Sequence, residues 1–294
     1  MTGLPDLHRH LDGSLREATI RAFADADGVA VPPDLPFTPN MGLGDALARF
    51  GFTLSLLQSP DRVRQIAAEM CEDAAKNGVS TLEIRFAPQL HPGAEPEEIV
   101  AAALDGIDGR AGLIACALYG EPPALVERLA RLPGICGLDL AGGPTPTHDF
   151  GMADYAPAFT IARDRGIGRT VHAGEGRPPA EIAVAIETLH AQRIGHGTTL
   201  LEDPAVLELV LDNDITIEAC PTSNWQVGVI PSIDAHPLPQ WLRRGVRVCV
   251  NTDNTFFSQT TGPEEHRRAR AIPTMTDALL DQAIEHGHAA AFPR

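Results

Sequence analysis

Four places in the sequence put ionisable side chains at the end of an apolar run. They are His8-Arg9-His10, His172-Ala173-Gly174-Glu175, His196 between Gly195 and Gly197, and Asp253-Asn254. In an extended chain residues i and i+2 point to the same side, so His8 and His10 can aim at one point. Three histidines and a carboxylate converging there form a divalent-metal set. Neutral imidazole with carboxylate suits Zn²⁺, with a position left for water. Bound zinc lowers the pKa of that water to about 7. Glu175 lies three residues past His172, beyond Gly174, and can reach the same cavity without ligating. A carboxyl placed so can protonate a leaving group or a ring nitrogen. His196 is either a base that orients the attacking oxygen or a further histidine ligand, and the residues alone leave both readings open.

One count limits the metal number. The chain has a single lysine, Lys76, inside a predicted surface helix. Two-metal hydrolases that bridge their ions with a carboxylated lysine need one on a strand, so a single metal is expected. The H-x-E and P-C-x-x-C signature of another class of zinc deaminase is absent as well.

To bring these groups together the chain needs a scaffold that ends many strands at one face. Eight short apolar runs qualify: 6–10, 81–88, 112–118, 134–142, 169–174, 193–197, 216–223 and 247–253. Several are near-continuously apolar, which suits strands covered on both faces. Helical patterns fall between them at 60–77, 95–108, 122–131, 153–165, 178–190, 203–212 and 238–244, with a closing helix or two over 275–291. Ser59-Pro60-Asp61 opens the first of these as a cap and first turn. Alternation of this kind implies a parallel α/β sheet, and eight strands close naturally into a (β/α)8 TIM barrel, whose catalytic groups lie at the C-terminal strand ends. A doubly wound open sheet is the alternative, but no phosphate-binding glycine motif follows the first strand. Residues 1–294 therefore read as one barrel domain, with a helical insertion after strand one (about 18–58) that includes the Pro/Gly-rich loop Val29–Gly44.

The 294 residues are 44% hydrophobic and only 5% aromatic, so the core must be aliphatic and alanine-rich. With 23 basic and 39 acidic residues the net charge is −16. Such a chain repels phosphate backbones and anionic lipid, which argues against nucleic-acid and membrane partners and for a small neutral ligand. Cys71, Cys116, Cys136, Cys220 and Cys249 are odd in number and include no CxxC pair, so reduced thiols are expected. Met1–His10 lacks the basic start and apolar stretch of a signal peptide, and no run is long enough to span a bilayer, so a cytoplasmic location is expected.

In order along the chain, six segments resemble the adenosine deaminase family. They are Leu7-His8-Arg9-His10-Leu11-Asp12-Gly13-Ser14, Asp139-Leu140-Ala141-Gly142, Thr170-Val171-His172-Ala173-Gly174-Glu175, Arg193-Ile194-Gly195-His196-Gly197, Ala219-Cys220-Pro221-Thr222-Ser223-Asn224 and Asn251-Thr252-Asp253. They run from about residue 4 to about residue 260. Each motif is modest alone, and six in family order are highly specific. The resemblance implies a (β/α)8 barrel with one Zn²⁺ held by His8, His10, His172 and Asp253. It implies that Glu175 gives a proton to N1 of a purine, that His196 positions the attacking hydroxide, that the Gly142 backbone N–H meets N3, and that Asp12 binds a ribose hydroxyl.

Three departures bear on the substrate. Many relatives carry a second Asp where this chain has Asn254; the amide donates to N7 at any pH, whereas a carboxyl must first be protonated. Gly143-Pro144 replaces an acidic residue common after the Ala-Gly pair, and the Val29–Gly44 region is short, which could admit a bare base or a larger 5′ substituent. The expected function is zinc-dependent hydrolytic deamination of a 6-aminopurine nucleoside, adenosine or a close analogue, to the 6-oxopurine with release of ammonia. Adenine or aminodeoxyfutalosine deamination is an alternative. A mononuclear cyclic amidohydrolase is another, although it has no need of the Gly142 and Asn254 contacts. A purine binder without catalysis is disfavoured by the intact ligands and Glu175.

Other features read as structural. Trp225, Trp241 and Phe256-Phe257 are expected to pack, Trp225 near the mouth. His91, His148, His190, His236, His266, His286 and His288 lie off the strand ends and are taken as surface or loop residues. Glu95–Glu98 and Glu264-Glu265 look like helix starts, where negative charge is favourable.

Overall fold

Apolar side chains on one face of most strands and ionisable ones on the other decide the architecture. The computed structural model describes residues 3–294; Met1 and Thr2, at the start of the segment read as lacking a signal peptide, lie outside it. Among the described residues the strands are β1 (Leu4–His10), β2 (Val79–Phe86), β3 (Gly112–Leu118), β4 (Gly137–Ala141), β5 (Gly168–Ala173), β6 (Arg193–His196), β7 (Thr216–Ala219) and β8 (Arg247–Val250). They pair in parallel in chain order. The first and last meet through a parallel bridge between Arg9 and Asp253, with hydrogen bonds from His10 N to Asp253 O and from Asp253 N to His8 O, both 2.8 Å. This is a (β/α)8 barrel.

Among the described residues twelve α-helices surround it. Three lie between β1 and β2: α1 (Glu17–Asp27), α2 (Leu43–Leu56) and α3 (Pro60–Lys76). Then come α4 (Pro96–Ile107), α5 (Pro123–Leu129), α6 (Ala156–Asp164), α7 (Ala180–Glu187), α8 (Pro204–Asp212), α9 (Pro221–Gln226), α10 (Leu238–Arg243), α11 (Gly262–Ala271) and α12 (Asp277–Ala290). Ser59 caps α3 by accepting from Arg62 N at 3.4 Å, ahead of Pro60 in the first turn. None of the helices is long and apolar enough to cross a membrane among the described residues.

Leu82, Ile84, Phe86, Leu138, Leu140, Val171, Ile194, Ile217, Val248 and Val250 belong to the main core. The residues that alternate with them are polar: Glu83, Arg85, Asp139, Thr170, His172, Arg193 and Glu218 are all buried. Most strands are thus apolar on one face only, while β3 and the Val248–Val250 stretch of β8 are buried and apolar on both. Charges line the barrel interior and survive there because they are paired. Arg85 reaches Asp139 at 3.0 Å and Glu218 at 2.9 Å, and Arg193 reaches Glu218 at 2.7 Å. An unpaired charge at such depth would be strongly destabilising. At the opposite end from the motifs, Phe292 closes the barrel floor. A Cβ on Gly168 would lie 2.1 Å from its ring, and Arg193 sits over that ring at 3.6 Å.

Two expectations change. The run 216–223 is not one strand: β7 stops at Ala219 and Pro221 starts α9, its fixed φ suiting a first helical turn. Three of the histidines taken as surface or loop residues are buried. His91 Nδ1 donates to Leu57 O at 2.6 Å, His266 pairs with Gly262 O at 2.9 Å, and His236 contacts Asn224. All five cysteines are free and buried.

Candidate active site

The pairing register carries the histidines to one place. Ala173 pairs with His196 and His172 with Gly195. A Cβ on Gly195 would meet His8 at 3.0 Å and the His172 Cα at 3.3 Å, so any larger residue would push the rings apart by a few tenths of an ångström. His10 Nε2 lies 3.3 Å from His172 Nε2 and 3.5 Å from Asp253 Oδ1, and His8 Nε2 lies 3.6 Å from the same oxygen. A tetrahedral shell with bonds of about 2.0–2.1 Å has edges of about 3.3–3.4 Å, so this spacing fits one small divalent ion.

The chemistry of the donors fits as well. Burial pulls His8 and His10 well below the ordinary imidazole range, so both are neutral. His8 Nδ1 faces Glu218 at 2.7 Å, and its Nε2 is buried with no hydrogen-bond partner. His172 Nδ1 faces Asp139 at 3.1 Å; burial lowers this imidazole, but Asp139 outweighs it and the net shift is upward. Each carboxylate holds the Nδ1 proton and leaves Nε2 to ligate. Arg85 bridges the two carboxylates and so fixes both rings through one guanidinium. Cys220 also lies within reach of His8 and Asp253. Burial and the Asp253 charge push its thiol well up, which leaves it the poorest donor of the group.

Glu175 is 5% exposed, and burial raises its carboxyl to about 7; Asp253 adds to the rise and His172 opposes it. It lies 3.6 Å from His196 Nδ1. The proton on His196 can be located by following its partners. Leu238 N donates to His236 Nδ1 at 3.1 Å, so the His236 proton is on Nε2, which donates to Asn224 Oδ1 at 3.2 Å. The Asn224 amide nitrogen therefore faces His196 Nδ1, at 2.9 Å, and donates to it. Burial keeps His196 neutral, so its own proton resides on Nε2. His196 and Asp253 have φ of 66° and 59°. Each is the middle residue of a three-residue turn, closed by Gly197 N to Gly195 O at 2.9 Å and by Asn254 N to Thr252 O at 2.6 Å.

The remaining candidates line the space above. Asp12 is buried, its Oδ1 has no partner, and burial raises its carboxyl to about 7. Asn254 Oδ1 is likewise without a partner, and a Cβ on Gly13 would fall 1.9 Å from it. Gly142 borders both cavities described below. Trp241 is fully buried.

Sequence reasoning left out Arg85 and Glu218, gave Asp139 and Asn224 no role although both stand in the matching segments, and took His236 for a surface or loop residue. It also took Glu265 for a helix start. Glu265 does sit in the first turn of α11, but it is buried, accepts from Thr222 N and Oγ1 at 2.8 and 2.6 Å, and is raised to about 7 by burial. The available signal was alternation: charged residues facing inward within apolar strands.

Residues 4–293 match the family described as adenosine deaminase. An adenosine deaminase of Enterococcus faecalis is 32% identical over 310 residues, spanning 98% of this chain and 91% of that one. Among solved structures, an adenine deaminase from Arthrobacter aurescens superposes with a TM-score of 0.88 at 23% identity, covering 100% of this chain and 95% of the other. An amidohydrolase from Burkholderia ambifaria with bound Zn does so with 0.85 at 22%, covering 99% and 86%. The chain belongs to the adenosine deaminase family, hydrolases of carbon–nitrogen bonds in cyclic amidines.

Proposed function

We propose that the protein is a zinc-dependent hydrolytic deaminase that converts a 6-aminopurine nucleoside to its 6-oxo counterpart, releasing ammonia. The observation that carries this is the placement of Glu175: a buried carboxyl raised to about 7, beside a four-donor cage. His8, His10, His172 and Asp253 would hold one Zn²⁺. When bound it supplies an acidified water and a Lewis acid.

The chain's own residues do the rest. Glu175, protonated near neutral pH, gives its proton to N1. That makes C6 electron-poor and offsets the aromaticity lost when oxygen adds there. His196, neutral with its proton on Nε2, orients the incoming oxygen. C6 becomes tetrahedral; of the two protons of the water that adds there, one goes to the amino group, which leaves as ammonia, and the other returns to Glu175, and the 6-oxopurine remains. The Gly142 N–H and the Asn254 amide read N3 and N7, contacts a cyclic amidohydrolase would not need. The unpartnered Asp12 Oδ1 would take a ribose hydroxyl. In this reading residues 1–294 work as one unit, with the helices from about 18 to 58 covering the mouth.

The test is ammonia release by zinc-loaded protein from adenosine, 2′-deoxyadenosine and adenine, with metal content measured in parallel. Release with about one zinc per chain is expected. Silence across the panel with zinc bound would replace this reading by the cyclic-amide one.

A further inference from the structure

The space above the metal cage is divided unequally. The inner pocket, bordered by Glu175, His196 and Asp253, holds only about 60 Å³. A second cavity of about 510 Å³ opens beside it, sharing His10, Leu47, Phe50 and Gly142. That volume alone is the size of a site for a drug-like molecule. Its walls are largely apolar: Leu54 from α2, Leu90 after β2 and Leu118 at the end of β3.

Helix α2 explains the apolar character. Leu43, Leu47, Phe50 and Leu54 recur at helical spacing and form one stripe. A stripe of this kind normally buries itself against a core. Here none of the four is fully buried, and Leu47 is 43% exposed, because the stripe roofs the two cavities. No lysine or arginine lines the larger cavity among the described residues. The nearby Arg177 is held by Glu181 at 2.7 Å and by the His172 carbonyl at 3.1 Å. The Tyr119 hydroxyl is spent on the same carbonyl, at 3.0 Å. Asp12 stands in this wall with its free Oδ1.

A purine with C6 at Glu175 has N9 at its far end, so whatever N9 carries must enter the larger cavity. We infer, on the deaminase reading above, that the physiological substrate is an adenosine whose 5′ carbon bears an uncharged, apolar substituent, packed under the α2 stripe beyond a ribose held by Asp12. A phosphate there would meet no lysine or arginine, and of the two lining histidines His10 belongs to the metal cage, which leaves half-buried His148 alone to face it. A hydroxyl would leave most of the cavity unfilled. Each methylene that fills an apolar pocket is worth about 10-fold or more in specificity.

The experiment compares adenosine, 5′-deoxy-5′-(butylthio)adenosine and adenosine 5′-monophosphate as substrates of zinc-loaded full-length protein, and the three matching 6-oxo products as ligands by calorimetry. The butylthio compound should exceed adenosine at least tenfold in kcat/KM, with the monophosphate last, and the products should bind in the same order. Leu90→Trp, which fills the cavity, should shrink the butylthio-to-adenosine ratio. A kcat/KM for adenosine or the monophosphate equal to or above that of the butylthio compound would overturn the inference and leave the deaminase reading intact. No ammonia from any of the three would overturn the deaminase reading instead, and the order of product affinities would then decide the apolar cavity alone.

Discussion

The two cavities are built on opposite principles. Around the inner pocket, side chains are fixed by hydrogen bonds that cross the barrel: His8 to Glu218, His172 to Asp139, His196 to Asn224. Around the larger one, surfaces are set by a helix stripe and loop side chains with few polar obligations. Displacing one ring in the first would break a chain of paired charges; changing one leucine in the second would alter only a shape. The reaction and the choice of substrate are therefore separable in this fold, which is how a barrel keeps one chemistry while its loops vary.

The sharpest way to break the comparison is Glu175→Gln. It should lower kcat by several orders of magnitude, while zinc content and affinity for a 5′-substituted inosine stay as they were. In the wild type the sign of the pH effect follows from burial. The carboxyl holds its proton below about 7 and loses it above, so kcat/KM should fall as pH rises through that value. Unchanged turnover in the variant, or a rise in kcat/KM above pH 7, would remove Glu175 from its role.

Asn224→Asp comes next. A carboxylate would accept from His196 Nδ1–H and draw the proton off Nε2. We expect kcat to drop by about 100-fold or more with KM and zinc little changed. A matching rise in KM would point to a packing defect rather than a misplaced proton.

The smallest effect is expected from Glu218→Gln, which leaves the reacting groups in place but frees His8. Zinc affinity should weaken by about 10- to 100-fold. The melting temperature should fall too, since Arg85 and Arg193 each lose part of their counter-charge. Tight zinc binding at a lowered melting temperature would mean that Glu218 serves the fold alone.

Much of this was legible in the sequence because the barrel repeats a simple rule. Apolar runs announced all eight strands, and the i, i+2 spacing of His8 and His10 announced a shared target. The partners were not legible. Arg85 meets Asp139 and Glu218 across 54 and 133 residues, and nothing local marks those distances. His236 looked like a loop residue because its role depends on Asn224, twelve positions away but adjacent only once α9 has formed. The exposed stripe of α2 has the same pattern as a buried one, and only the fold shows that it faces a cavity.

The left-handed backbone at His196 and Asp253 has a consequence of its own. Side chains at such φ values cost on the order of 1–3 kcal/mol each, and glycine would relieve that cost. At these two positions the residue that suits the backbone is one that cannot react. A library of variants sorted only by heat resistance or expression would therefore feel no pressure to keep the reacting residue for its backbone, only for the buried contacts its side chain makes. The backbone and the chemistry ask for different residues at two positions of one barrel mouth, and a stabilised version of this protein would have to find its gains elsewhere.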